Sequence, residues 1–363
     1  MRPTWRLRLR RFPGRGFAGV IVLSASILCA AELPKNVEKL SPAEKVDAYL
    51  AVVEDARQLP LKRNYAAAQI VELGEQAVPR IMQLYRDGAP ERRGCLAGML
   101  GAMKKPGEPA VQMLLEDLRR RGPTVHPNVI KALGDLECAE AAPPLLKLLP
   151  KASDSVRPTV LYALGRLADE QAADALFEGF DTSDRLVRTV SANGVIRLLV
   201  KLKAEKDASR PKSPYRKVLK RTLEYIESGK RDEVRRVLLS GIGGVQDLRS
   251  TTVLRRVLRT GAEPLRIAAA RALGELKDQR AVDSLTEVFL SDKPALRRAA
   301  LQALAAIGDK SCVPTLIDRL EVSELRERRD IVRTLQQLTK QSFGDNPDQW
   351  LRWWKAVQDP ARR

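Results

Sequence analysis

Leu265 to Leu285 reads LRIAAARALGELKDQRAVDSL. Leu265, Ala268, Ala269, Ala272, Leu273 and Leu276 fall at i, i+3, i+4, i+7, i+8 and i+11, which is one apolar stripe along a helix. Gly274 and the Lys-Asp-Gln run after Leu276 are expected to weaken that helix and turn the chain. Val282, Leu285 and Val288 then begin a second apolar pattern, so the stretch spans the end of one helix and the start of another.

The stripe recurs 31 residues later as Leu296, Ala299, Ala300, Ala303, Leu304 and Ile307, and again as Ile331, Leu335 and Leu338. One step back it is Val234, Val237, Leu238, Gly241, Ile242 and Val245. Earlier copies are anchored at Leu133, Leu164 and Val195, again 31 apart. Val195 and Ile242 are 47 apart, one period plus a 16-residue insertion. Leu73-Gly74 and Leu100-Gly101 are taken as anchors of looser copies upstream. A fixed period of this size means stacked supersecondary units, none of which buries its apolar face alone. The expected fold is all-α: an α-solenoid of about eight helical hairpins, right-handed, over about residues 41 to 356, with no sheet. An aromatic content of only 4% suits a core of Leu, Ala and Val packed helix on helix.

Val156-Arg157 through Ala163-Leu164-Gly165 to Asp169 carries a recognisable pattern, repeated from Leu265-Arg266 through Ala272-Leu273-Gly274 to Asp278. It resembles the HEAT-like repeat of the phycobilin-lyase type, over roughly Tyr65 to Leu338. The resemblance implies architecture; it implies little about activity, because such repeats serve enzymes, adaptors and scaffolds alike.

Residues 1–31 read as a signal peptide. Arg2, Arg6, Arg8, Arg10, Arg11 and Arg15 form a basic head without an acid, Phe17 to Ala31 is a short apolar run, and Cys29, Ala30 and Ala31 are small enough for cleavage before Glu32. An uncleaved anchor is the alternative, although the run is short for a membrane span. Leu28, just before Cys29, argues against a lipoprotein site. The expected location is therefore periplasmic or extracellular. Loss of six Arg takes the net charge from +19 to +13, so the rest is still strongly basic. That charge suits an anionic partner, or serves only to keep a long exposed solenoid soluble. Cys95, Cys138 and Cys312 remain, too few and too scattered for a disulfide framework or a zinc site. They are expected as buried or half-buried thiols, with one bridged pair as the alternative.

Ser41-Pro42-Ala43-Glu44 is a capping box that starts a helix running to about Gln58, expected to cap the first repeat within residues 32–64. The repeats then fill 65–340. The insertion at about 201–217 is charged and Pro-containing, with nine basic and two acidic residues from Lys201 to Arg221. It reads as a solvated mobile loop or, more sharply, as a basic docking loop. In residues 341–363, Trp350, Trp353 and Trp354 share one helix face. This end resembles the tails of secreted bacterial HEAT-repeat proteins. It is expected to close the core, the alternative being an aromatic docking patch.

No catalytic constellation emerges. His126 is the only histidine, and there is no GxGxxG, Walker loop or HExxH. The acidic pair Asp232-Glu233 falls at a helix start, where it suits the helix dipole. Neither a metal nor a cofactor is expected. One regularity does stand out: seven residues before each anchor sit Arg93, His126, Arg157, Arg188, Arg235, Arg266, Arg297 and Arg328. A structural role is expected for this ladder, each stem lying on the core and each head bonded to a turn carboxylate or carbonyl, with Asp169, Asp247, Asp278 and Asp309 as candidate partners.

The resemblance implies that the second helix of each hairpin lines the concave side. Its outward positions, opposite the apolar stripe, are Lys131 and Asp135, Tyr162 and Arg166, Asn193 and Arg197, Arg236, Arg271 and Glu275, Arg298 and Gln302, and Arg329 and Arg333. Eight are basic and two acidic, a stronger bias than the 64 to 45 of the whole chain. The expected function is an exported, non-enzymatic scaffold holding a protein partner, in particular an acidic one, on this face. The alternatives are a binding module for an anionic polymer or membrane surface, and a subunit of a lyase-type enzyme.

Overall fold

The computed structural model describes residues 37–103, 105–205, 208–291 and 293–358. The signal segment read in residues 1–31 lies outside them. Every regular element among the described residues is helical. The chain forms two compact units, one through Leu136 and one from Glu137.

In the first unit α1 (Pro42–Glu54) pairs with α2 (Pro60–Glu72), α3 (Val78–Asp87) with α4 (Pro90–Ala102), and α5 (Glu108–Arg121) with α6 (Pro127–Asp135). The capping box forms as expected: Glu44 N–H donates to Ser41 Oγ at 3.4 Å, and Ser41 N–H donates back to Glu44 Oε2 at 2.8 Å. The helix it starts ends at Glu54, four residues short of Gln58, and α1 is half of a complete hairpin rather than a separate cap. The anchor of α2 is Ile70, which is fully buried; Leu73 only ends the helix, and Gly74 turns away at φ +58°. Leu73-Gly74 is therefore not the repeat anchor that its Leu-Gly spelling suggested.

The second unit contains α7 (Ala142–Leu148) with α8 (Arg157–Leu167), α9 (Ala173–Glu178) with α10 (Arg185–Ala204), and α11 (Pro214–Ser228) with α12 (Asp232–Ile242). There follow α13 (Thr251–Thr260) with α14 (Glu263–Leu276), α15 (Val282–Phe289) with α16 (Pro294–Ile307), and α17 (Val313–Val322) with α18 (Leu325–Thr339); α19 (Pro347–Gln358) packs against α17. The described residues thus form nine hairpins and a closing helix, one hairpin more than the period suggested, because α1 and α2 count as one.

Second helices stack on second helices, α8 on α10, α10 on α12, and so on to α18. The anchors Leu164, Val195, Ile242, Leu273, Leu304 and Leu335 are each at most 1% exposed. Burying each such side chain contributes roughly 1.5–3 kcal/mol. Gly274 does not break its helix. It lies within α14, buried, where its missing Cβ lets the next second helix approach. The turn comes at Lys277, left-handed at φ +52°.

The 16-residue insertion is absorbed into helix at both ends. Lys201 to Ala204 lengthen α10 to 20 residues, and Pro214 to Lys217 open α11, which leaves 205–213 between them. The loop expected at 201–217 is therefore shorter at both ends, because Ser213 caps α11 through a hydrogen bond from the Arg216 N–H at 3.3 Å. Cys95, Cys138 and Cys312 form no disulfide among the described residues; Cys312 is buried and burial pushes it up to about 11.

Candidate second-helix binding face

A ladder of arginines ties each second helix to the end of the first helix in its hairpin. Arg235 donates from Nε to Ile226 O at 2.9 Å and from Nη2 to Glu227 O at 3.1 Å. Arg266 Nε reaches Leu258 O at 2.8 Å, Arg297 Nη1 reaches Ser291 O at 2.9 Å, and Arg188 Nη1 reaches Thr182 O and Ser183 O at 2.7 and 2.8 Å. Arg157 and Arg328 make weaker versions, to Ala152 O and Glu321 O. Each acceptor lies in the last turn of the first helix of the same hairpin or in the connection just after it. The carbonyls there lack intrahelical partners and carry the negative end of the dipole, so a guanidinium satisfies both.

The ladder is structural, as expected: its heads bind carbonyls, and Arg157, Arg188, Arg235 and Arg297 also pair with Asp154, Glu233, Asp232 and Glu327, but none pairs with the four turn aspartates. Asp169, Asp247, Asp278 and Asp309 instead cap the helical turn that follows, accepting from the backbone N–H of Gln171, Arg249, Arg280 and Ser311 at 2.8, 2.9, 3.0 and 2.7 Å. Arg63, which the sequence reading missed, belongs to the ladder: it lies seven before Ile70, and its Nε donates to Val53 O at 2.7 Å. Two positions depart from the pattern. His126 caps α6 itself, with Nδ1 accepting from Asn128 N–H at 3.1 Å. The Arg93 side chain has no hydrogen bond or ion pair among the described residues.

The aspartates also join neighbouring hairpins. Tyr85 Oη donates to Asp117 at 2.7 Å, Tyr215 Oη to Asp247 at 2.6 Å, and Thr251 Oγ1 to Asp278 at 2.5 Å. Burial alone would raise the Asp117 and Asp247 carboxyls, but hydrogen bonds from the tyrosines and from Arg121 and Arg249 outweigh it and hold both below their ordinary value. Asp278 falls to about 2, chiefly through Arg280. The acid Asp232 sits in the first turn of α12 and pairs with Arg235 at 2.9 Å.

The outward positions divide into paired and unpaired groups. In the first unit Lys131 and Asp135 neutralise each other one turn apart on α6, at 2.5 Å. In the second unit Arg166 reaches Glu137 at 3.2 Å, Tyr162 is half-buried, and the Asn193 amide donates to Thr189 O at 2.9 Å. Arg298 and Arg333 both approach Asp330, at 3.2 and 3.6 Å, and Gln302 is exposed beside them. Burial raises the carboxyl of Glu275, whose Oε2 lies over Gly243. Arg197, Arg236, Arg271 and Arg329 are exposed and have no acidic partner among the described residues. They stand on α10, α12, α14 and α18, and successive helix axes in such a stack are about 10 Å apart. Arg197, Arg236 and Arg271 thus stand on three successive second helices, and Arg329 stands two second helices beyond Arg271, which gives this side of the second unit an excess of unpaired positive charge.

Family models match the chain at residues 112–195 and 219–305 as HEAT repeats, and at 296–321 as a PBS lyase HEAT-like repeat. The chain carries HEAT repeats. Among solved structures, importin β is 17% identical with a TM-score of 0.56, covering 94% of this chain and 54% of its own. Kap95p, solved with RanGDP, is 14% identical with a TM-score of 0.56, covering 89% of this chain and 51% of its own. This HEAT-repeat chain spans about half the length of both. Human deoxyhypusine hydroxylase is 20% identical with a TM-score of 0.32, covering 83% of this chain and 98% of its own. No curated protein sequence matches. At these identities the likeness is one of fold. Among the described residues no group of three or more His, Cys, Asp or Glu is placed to hold a metal, and no helix is long and apolar enough to cross a membrane.

Proposed function

We propose that this protein is an exported, non-enzymatic HEAT-repeat scaffold that holds an acidic segment of a protein partner on the second-helix face of its second unit. The observation that carries the reading is that Arg197, Arg236, Arg271 and Arg329 are exposed and without acidic partners among the described residues, while Arg166, Arg298 and Arg333 are engaged. Charges left unpaired on successive second helices favour an extended anionic ligand, since an extended strand rises about 3.3 Å per residue and crosses the roughly 10 Å between neighbouring helix axes in about three residues. Kap95p, of the same fold, binds RanGDP, which agrees with protein recognition by stacked HEAT hairpins. The basic head and short apolar run of residues 1–31 support export.

The test is a triple reversal, Arg197→Glu, Arg236→Glu and Arg271→Glu, on the chain lacking residues 1–31. Cross-linking in envelope extract should lose its partner in the variant and keep it in the unaltered protein. A partner retained by the triple variant overturns the reading. Binding of heparin or anionic vesicles that falls steeply with salt, with no protein captured, would favour the polyanion or membrane alternative.

A further inference from the structure

The first-helix side of the second unit holds a feature that the partner face does not use. Between α11 and α13 lies a groove of about 670 Å³. Leu219, Leu223 and Val253 form its apolar floor, with Leu223 and Val253 only half-buried. At the end nearest the start of α11 stand Lys212, Arg216 and Lys217. Lys212 and Lys217 are exposed and have no ionic partner among the described residues, and Arg216 Nε is buried with nothing to donate to. The positive end of the 15-residue α11 dipole adds to the same field.

The other charges along the groove are already engaged. Arg249 is held by Asp247 at 2.5 Å, Glu227 is ion-paired with Arg256, and Glu224 stands 3.9 Å from Lys220. The result is a polar gradient along one cleft, with unsatisfied donors at one end and open apolar surface beyond. Its volume and lining match those of small-molecule sites, which are largely apolar with a few placed polar groups. A neutral apolar ligand would leave the Arg216 donor unmet, and a fully hydrated anion would leave the floor uncovered.

We infer that this groove binds a small amphiphilic anion, its head among Lys212, Arg216 and Lys217 and its apolar body on Leu219, Leu223 and Val253. The 16-residue insertion builds the site, because it supplies Lys212 and the start of α11.

The test uses decanoate as probe, titrated calorimetrically into the chain lacking residues 1–31, with acetate and 1-decanol alongside. Decanoate should bind, acetate should give no heat, and 1-decanol should bind at least 10-fold more weakly. The double variant Lys212→Glu, Lys217→Glu should weaken decanoate at least 10-fold with Tm unchanged, since neither lysine holds the fold together. Val253→Trp, which fills the floor, should abolish binding. The triple reversal of Arg197, Arg236 and Arg271 should leave decanoate binding intact, which separates this site from the partner face. No decanoate binding, equal binding of 1-decanol, or full binding by both groove variants would overturn the inference.

Discussion

Gly274 and Ala303 meet across two adjacent second helices so closely that a Cβ on Gly274 would lie 2.7 Å from the Ala303 Cα. Gly165 and Gly194 repeat the relationship between the adjacent second helices α8 and α10, again at 2.7 Å. These contacts involve backbone, which cannot rotate away, so the stack must open to admit a methyl group. Gly274→Ala is therefore expected to lose about 1–3 kcal/mol by overpacking, despite the better helix propensity of alanine. Gly244, with nothing within 4 Å of its would-be Cβ, is the control; Gly244→Ala should change stability by less than about 0.5 kcal/mol. Urea unfolding of both variants decides the matter.

The ladder arginines should differ in proportion to the bonds they make. Arg235 has two helix-end carbonyls and Asp232 as acceptors, whereas Arg93 has none among the described residues. Charge-assisted hydrogen bonds are worth about 1.5–3 kcal/mol, so Arg235→Met should lower stability by about 2 kcal/mol and Arg93→Met by almost nothing. Equal losses at both positions would show that the stems, not the heads, matter.

Acid should act through the turn aspartates. Arg280 and Thr251 hold the Asp278 carboxyl at about 2, against an ordinary value of 3.8. A group with a depressed folded pKa adds stability above its unfolded pKa, and that stability is lost as pH falls toward the folded value. Stability should therefore decline between about pH 4 and pH 2, and the Asp278→Asn variant should show a shallower decline. Thermal unfolding across that range measures it; an unchanged slope in the variant would mean that other carboxylates set the acid limit.

The architecture was legible because period and burial report the same physics: the anchors at Leu133, Leu164, Val195, Ile242, Leu273, Leu304 and Leu335 are all buried. What failed was local. Leu73-Gly74 imitates the anchor dipeptide, yet Ile70 fills the core, so the first hairpin and Arg63 were missed. Glycine in mid-helix was taken as a breaker because propensity is local, whereas the close approach of a second helix is tertiary. The row of outward arginines could be placed by spacing. Which of them lack partners could not, because Glu137 and Asp330 reach Arg166 and Arg298 from other segments. The α11–α13 groove has no periodic signature, since the insertion that builds it interrupts the period.

The tryptophan cluster separates into two roles that substitution should resolve. Trp350 is fully buried, donates from Nε1 to Gly344 O at 2.9 Å, and meets Phe343 edge-on at 5.0 Å. It closes the end of the second unit, where α19 packs on α17. Trp353 and Trp354 are only half-buried, their rings 5.9 Å apart. Removing a fully buried aromatic leaves a cavity as well as losing its transfer energy, so Trp350→Ala should cost about 3–5 kcal/mol. Trp350→Phe should recover part of that loss but not the bond to Gly344. Trp354→Ala should cost well under half as much as Trp350→Ala, because much of its surface already faces water. Denaturant unfolding followed by tryptophan fluorescence gives all three values. Comparable losses at Trp350 and Trp354 would mean that the whole cluster closes the core; a negligible loss at Trp350 would mean that α19 is not the cap of this unit.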